Sequence, residues 1–339
     1  MRTHQSGRLV KAALAALATT ATFGVAACGS DDSSSSDSSS ASSGTTSTAS
    51  ESGKLIQPIA SAKGKSITIG SKNFTESIII GKIYGQALAK AGYTVKYDLN
   101  LGLEDVANKA IQQGQIDGYP EYTGTALTAL LGVDPSDVPK DENAAYQDAK
   151  KLYKSKFGFT ALAQTPFTDS NALGMTAETA KKLGNPTTIS DLKGKSQDLT
   201  IAASAECFKR TDCALGFKKT YGLTFKREIK IDVAQRHEVI LQGKADLTVP
   251  FTTDGAIAAN KEVVLKDDKQ LFPPYNVTFV LGPKGAAALG TQGEQLIEKV
   301  QKDLTTPVMS ELNSRVDLDK DDSTDVAKGY LQDNGYIAK

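Results

Sequence analysis

Thirteen residues near the middle of the chain return, without a gap, 129 positions later. Ile111-Gln-Gln-Gly114-Gln-Ile-Asp117-Gly-Tyr-Pro-Glu-Tyr122-Thr123 aligns onto Ile240-Leu-Gln-Gly243-Lys-Ala-Asp246-Leu-Thr-Val-Pro-Phe251-Thr252, with Gly, Asp, an aromatic residue and Thr coinciding. In each copy the pattern predicts a helix ending at the Gly and a strand after it. The aromatic-Thr pair then falls just past the strand's carboxyl end, where open α/β sheets present ligand sites. A duplicated unit of this kind implies two α/β lobes facing one cleft. Chance agreement between two short helix-strand units, which share Gly and Asp habits, is the alternative.

The surrounding pattern has the same character. Ser66-Ile67-Thr68-Ile69-Gly70 alternates as a strand, and Ile78 to Lys90 carries Ile79, Ile83 and Leu88 at helical spacings until Gly92 stops it. Thr94 to Leu99 reads as a strand, Glu104 to Gln113 as a helix closed by Gly114, and Ile116 to Tyr119 as a strand leaving into Pro120. This βαβαβ order predicts a parallel or mixed sheet flanked by helices.

The N-terminal region is of another kind. Arg2, Arg8 and Lys11 precede a small, apolar run from Ala12 to Ala27 that ends Val25-Ala26-Ala27-Cys28. The run is short and Ala/Thr-rich for a membrane span and reads as an export leader over 1–27. Its end resembles a bacterial lipobox, with Val25 where Leu is usual, which implies lipidation of Cys28. An ordinary leader followed by an incidental Cys is the alternative. From Ser30 to Gly53 there are 13 Ser and 3 Thr in 24 residues and almost nothing apolar. Such a tract has no core to offset its ordering entropy, so residues 28–64 are expected to form a flexible tether.

Composition narrows the chemistry. The chain has 39 Lys+Arg against 39 Asp+Glu, and the body from residue 65 onward carries a net charge of −1, so no nucleic-acid partner is expected. Two His and three Cys are too few for a His-rich or Cys/His zinc site, and no metal or cofactor is expected. Cys207 or Cys213 with His237 could be imagined as a nucleophile pair. In an exported chain whose Cys28 carries lipid, a local Cys207–Cys213 disulfide is the better reading. Gly64-Lys65-Ser66 and Gly194-Lys195-Ser196 lack the earlier Gly of a phosphate loop, with Ile59 and Ile189 in its place. An enzyme working through Glu121 or Asp254 would lack the remainder of a catalytic set.

The distinctive inventory is aromatic. Tyr119-Pro120-Glu121-Tyr122-Thr123-Gly124-Thr125, Phe251-Thr252-Thr253-Asp254-Gly255 and Phe272-Pro273-Pro274-Tyr275-Asn276 place rings at expected strand ends or on stiff turns. A quaternary ammonium group has no N–H to donate, so a selective site must surround it with π faces. Taken singly, each ring also suits ordinary half-buried packing.

With these segments the sequence resembles the glycine betaine/osmoprotectant substrate-binding proteins of ABC importers, from Ile67 through Gly329-Tyr330-Leu331. Ile69-Gly70-Ser71-Lys72-Asn73-Phe74-Thr75-Glu76 and the Tyr119–Thr125 segment carry the resemblance most specifically, and Glu311-Leu312-Asn313 adds to it. The resemblance implies a two-lobed periplasmic-binding-protein-like α/β fold with a hinge and an interlobe ligand cleft. It implies a monomer that hands its ligand to a permease driven by a separate ATPase, on the extracytoplasmic face of the plasma membrane. Tyr122 and Tyr275 correspond to cage aromatics, Thr125 to a carboxylate donor, and Lys72 and Arg210 to carboxylate-binding cations. Phe251 stands where the family commonly has Tyr. Asn171, in Phe167-Thr168-Asp169-Ser170-Asn171, stands where the family often has another cage Tyr. An amide there opens the alternatives of choline, an amino acid or a polyamine, and Asp169 beside it is either a compensating charge or a turn residue. The expected lobes are 66–167 with 280–339, and 168–279 between them.

Overall fold

A computed structural model describes residues 54–339. The leader 1–27, Cys28 and the tether as far as residue 53 lie outside the described residues. Ten strands form two five-stranded mixed sheets. The first has the order β2 (Thr94–Asp98), β1 (Ser66–Gly70), β3 (Gly118–Tyr122), β10 (Val277–Leu281), β4 (Thr160–Ala161). The second has the order β7 (Arg227–Lys230), β6 (Thr200–Ala203), β8 (Leu247–Thr248), β5 (Leu173–Met175), β9 (Val263–Leu265). In each, the first three strands are parallel and the next runs antiparallel to them, β10 against β3 and β5 against β8. No helix among the described residues is long and apolar enough to cross a membrane.

The duplicated segment accounts for much of this symmetry. Asp117 exchanges two hydrogen bonds with Thr68, its backbone N–H donating at 2.7 Å and its carboxylate accepting the Thr68 N–H at 2.8 Å. Asp246 does the same with Thr200, at 2.9 and 2.8 Å. Each Asp thus extends the parallel pairing by one side-chain rung and sets the register of β3 against β1 or of β8 against β6. The preceding Gly114 and Gly243 have φ of 69° and 66°, the left-handed conformation that ends a helix.

Hydrophobic patterning builds the first lobe as the sequence predicts. Ile67 and Ile69 of β1 are fully buried, and so are Ile79, Ile80, Ile83, Tyr84, Ala87 and Leu88 on α1 (Thr75–Lys90). The helix begins at Thr75 rather than at Ile78, because Phe74 is extended and Glu76 lies in the first turn. Helix α2 (Glu104–Gln112) leads into β3. That strand does not stop at Tyr119: it continues through Pro120 to Tyr122, with Pro120 opposite Phe279 of β10. Pairing to β1 involves only Ile69 and Gly118, so the missing N–H of Pro120 interrupts no ladder on that side.

The chain crosses between the sheets after β4 and returns before β10. The crossings lie side by side: Thr168 and Asn276 form a β-bridge, Tyr275 N–H donates to the Thr168 hydroxyl at 2.9 Å, and Asp169 N–H donates to the Tyr275 carbonyl at 3.2 Å. The return differs from the expected boundary at residue 280, since all of β10 from Val277 pairs with β3 in the first sheet. The expected tether is also too long at its C-terminal end. Ile56 is buried and donates its N–H to the Tyr336 carbonyl at 2.9 Å, Ile59 donates to Ala91 at 2.9 Å, and Ala62 is fully buried. Residues 54–64 therefore belong to the first lobe, whose tail helices Pro283–Val300, Thr306–Asp317 and Ser323–Asp333 pack against α1.

Candidate functional site

The strand ends of both sheets converge on one cleft lined by residues of both lobes. Its aromatic side is built from both lobes. Phe74, just past β1, lies 5.6 Å from the Tyr122 ring and 5.3 Å from the Phe251 ring, measured between centroids. Tyr275 lines the same cleft from the return crossing. The turn after Tyr122 can sit against this crossing because Gly124 has no side chain: a Cβ there would meet the Pro274 carbonyl at 2.7 Å and the Tyr275 ring at 2.8 Å. The Thr123 hydroxyl completes the seam by donating to the Pro274 carbonyl at 2.9 Å.

Asn171 is bridged to Phe251 and donates its amide to the Tyr275 hydroxyl at 3.3 Å. That hydroxyl donates in turn to Asp212 at 2.6 Å. Asn171 therefore holds the edge of one ring instead of adding another.

Each cation of the cleft already has an acidic partner. Lys72 is buried and paired with Glu121, its ammonium 4.7 Å from the Tyr122 ring centroid. Arg210 makes a two-pronged pair with Asp212, at 2.8 and 2.6 Å, and reaches across the cleft to Glu104 at 3.0 Å and the Thr125 hydroxyl at 3.3 Å. Burial works against the Arg210 charge, but Asp212 and Glu104 hold its pKa well above the usual guanidinium range. Arg236 pairs in two-pronged fashion with Asp254 and lies 4.7 Å from the Phe251 ring centroid. Burial opposes ionisation of Asp254, yet Arg236 beside it keeps its carboxyl well below the usual carboxylate range. His237 lies 2.9 Å from both Asp254 and Glu262; burial opposes its charge, but these two hydrogen bonds push its pKa up to about 9. Asp254 also accepts the Phe251 N–H at 2.8 Å, so this charged quartet orients the ring.

Two carboxyl groups lack such a partner. Glu76 accepts from Tyr122 OH at 2.9 Å, Thr253 OH at 2.6 Å and the Asn313 amide at 3.1 Å, and burial raises its pKa to about 7. Asp169 accepts the Thr253 N–H at 3.1 Å; burial, together with Glu76 and Asp254 nearby, raises it well above the ordinary carboxylate value. Neither makes an ion pair with a described residue.

Lys72, Tyr122, Thr125, Asn171, Arg210, Phe251 and Tyr275 all line this one cleft. Cys207 and Cys213 are joined by a disulfide that closes the loop bearing Arg210 and Asp212, so neither is a thiol available to His237. Among the described residues no group of three or more His, Cys, Asp and Glu is arranged to hold a metal. Sequence reasoning did not assign Phe74, although its place just past the carboxyl end of β1 was a signal for it. Arg236 and Glu104 gave no such signal.

Two α/β lobes joined by paired crossings, with strand ends and aromatic rings converging between them, define a two-lobed solute-binding protein. The chain belongs to the family of substrate binding domains of ABC-type glycine betaine transport systems, whose family model matches residues 65–333. It is accordingly a substrate-binding receptor of ABC transporters and not an enzyme. It is 31% identical to a glycine-betaine-binding protein of Pseudomonas aeruginosa, over 81% of this chain and 90% of that one. An ergothioneine transport permease/ergothioneine binding protein of Helicobacter pylori is 28% identical over 81% of this chain; the chain spans 49% of that relative's length. Among solved structures, that of a glycine betaine/carnitine/choline ABC transporter protein superposes with a TM-score of 0.63 at 28% identity, covering 80% of this chain and 99% of that one.

Proposed function

We propose that the chain is a receptor for glycine betaine or a related quaternary ammonium osmoprotectant. It is held at the extracytoplasmic face of the plasma membrane by lipid on Cys28, acts as a monomer, and delivers its ligand to an ABC permease with a separate ATPase. The observation that carries this reading is the group of rings formed by Phe74, Tyr122 and Phe251, with Tyr275 lining the same cleft. A methylated ammonium group offers no hydrogen bond and gains most from such π faces in a site shielded from water. Lys72, Thr125 and Arg210, which line the same cleft, are read as its polar contacts. The relatives named for glycine betaine and ergothioneine binding support the same class of solute.

The test is thermal unfolding of the purified protein with glycine betaine, proline betaine, carnitine, choline and common amino acids. Ligand at about 100 times its dissociation constant adds roughly 2.7 kcal/mol of stability. Stabilisation by methylated ammonium compounds alone is expected. A second reading rests on Asn171, whose amide stands at the Tyr275 edge of the cage. It takes an amino acid or polyamine as ligand, and stabilisation by unmethylated amines alone would favour it.

A further inference from the structure

The charges around the cleft do not balance. Lys72 is matched by Glu121, and the Arg236 and His237 pair is matched by Asp254 and Glu262. Arg210 is shared by two acids, Asp212 and Glu104, leaving one negative charge over. No cation is left unpaired to receive a carboxylate, and each existing pair is at least partly buried, where removing one partner is costly. Asp169, by contrast, lines the cleft beside the aromatic rings, is 5% exposed, and has only a backbone N–H and no cation for a partner.

We propose that Asp169 is the counter-charge for the ligand's ammonium group, and that the site therefore prefers a cationic quaternary ammonium compound with a neutral polar end, such as choline, over a zwitterionic betaine. The inference rests on the quaternary ammonium reading above and narrows it. A zwitterion would have to draw Lys72 or Arg210 away from buried acids to satisfy its own carboxylate. A cation instead supplies what the walls lack, and its methyl groups still meet Phe74, Tyr122 and Phe251. A ligand hydroxyl can be met by Thr125 and Ser204, which line the cleft without charge.

Choline and glycine betaine share the trimethylammonium group and differ at the other end, so calorimetric titration of both into the purified protein tests the idea without a mutation. Choline is expected to bind more tightly by about tenfold or more. Asp169→Asn keeps an acceptor for the Thr253 N–H; it is expected to weaken choline by about tenfold and glycine betaine by less than about threefold, because in the zwitterion relief of the repulsion between Asp169 and the ligand carboxylate offsets the lost attraction to the ammonium group. Glycine betaine binding as tightly as choline, or equal losses for both ligands in the variant, overturns the assignment of Asp169 and leaves the quaternary ammonium reading intact. Binding of neither ligand overturns both.

Discussion

Replacing Glu76 by Gln should change how stability depends on pH. Glu76 is 2% exposed in the first turn of α1, and its three donors come from the end of β3, the segment after β8 and the helix Thr306–Asp317. Burial raises its pKa from the ordinary 4.5 to about 7, while its hydrogen bonds act in the opposite direction. The folded chain therefore keeps a proton that the unfolded chain releases. The associated stability is complete below the unfolded value of 4.5 and is lost as pH rises through the folded value of about 7. At roughly 1.4 kcal/mol per pH unit, the swing is about 3 kcal/mol. Gln does not titrate, its carbonyl can still accept from Thr253 and Asn313, and the Tyr122 hydroxyl can turn to accept from its amide. Urea unfolding of both proteins between pH 5 and pH 8 should show a stability difference that moves by about 3 kcal/mol in favour of Glu76→Gln as pH rises. Asp169, relieved of repulsion by Glu76, moves the difference in the same direction. His237, raised to about 9, titrates across a higher window in both proteins and largely cancels. Parallel pH curves would refute the reasoning.

Removing a wall of the cage should weaken ligand binding: Tyr122→Ala and Tyr275→Ala are each expected to cost about 1–2 kcal/mol for a methylated ammonium ligand, as loss of a desolvated cation–π contact does. Unchanged calorimetric affinity in both variants contradicts the cage. Cys207→Ser with Cys213→Ser should lower stability by about 2 kcal/mol, the loop-closure value for so short a loop, and should loosen the segment that carries Arg210. Equal melting temperatures with and without reductant in the parent protein would count against that. Asp246→Ala removes the acceptor of the Thr200 N–H and should destabilise by about 1–3 kcal/mol in chemical unfolding, with Asp117→Ala costing a similar amount in the first lobe. A neutral result at both positions would show that these rungs do not hold the sheets.

The gapless repeat was legible because the same local problem, turning from a helix into a strand beside a parallel neighbour, is solved twice with Gly and Asp. The hydrogen bonds of Asp117 and Asp246 are its physical content. Pro120 misled the reading of β3, since a Pro commonly ends a strand and only the tertiary pairing reveals that β1 meets β3 at Gly118 alone, so the N–H that Pro120 lacks is not needed on that side. Ile56 and Ile59 follow directly on the Ser/Thr-rich tract and read with it as tether, and their partners, Tyr336 and Ala91, lie far away in sequence. Of the cleft, the rings at strand ends were visible. The pairing of its charges was not: Lys72 with Glu121 and Arg210 with Glu104 join residues 49 and 106 positions apart, and no local spacing rule links them.

A methylation series at one nitrogen separates a cage from a hydrogen-bonded amine site. Ethanolamine, its N-methyl and N,N-dimethyl forms, and choline carry the same charge and the same hydroxyl, so only the N–H count and the apolar surface change. With rings from Phe74, Tyr122, Phe251 and Tyr275 around the ammonium group, calorimetric affinity should climb at each step and be highest for choline, by roughly tenfold or more over ethanolamine. Affinity that falls with methylation, so that ethanolamine binds best, would mean that Asn171 and Asp169 hold a donor N–H and that the rings are packing and not recognition.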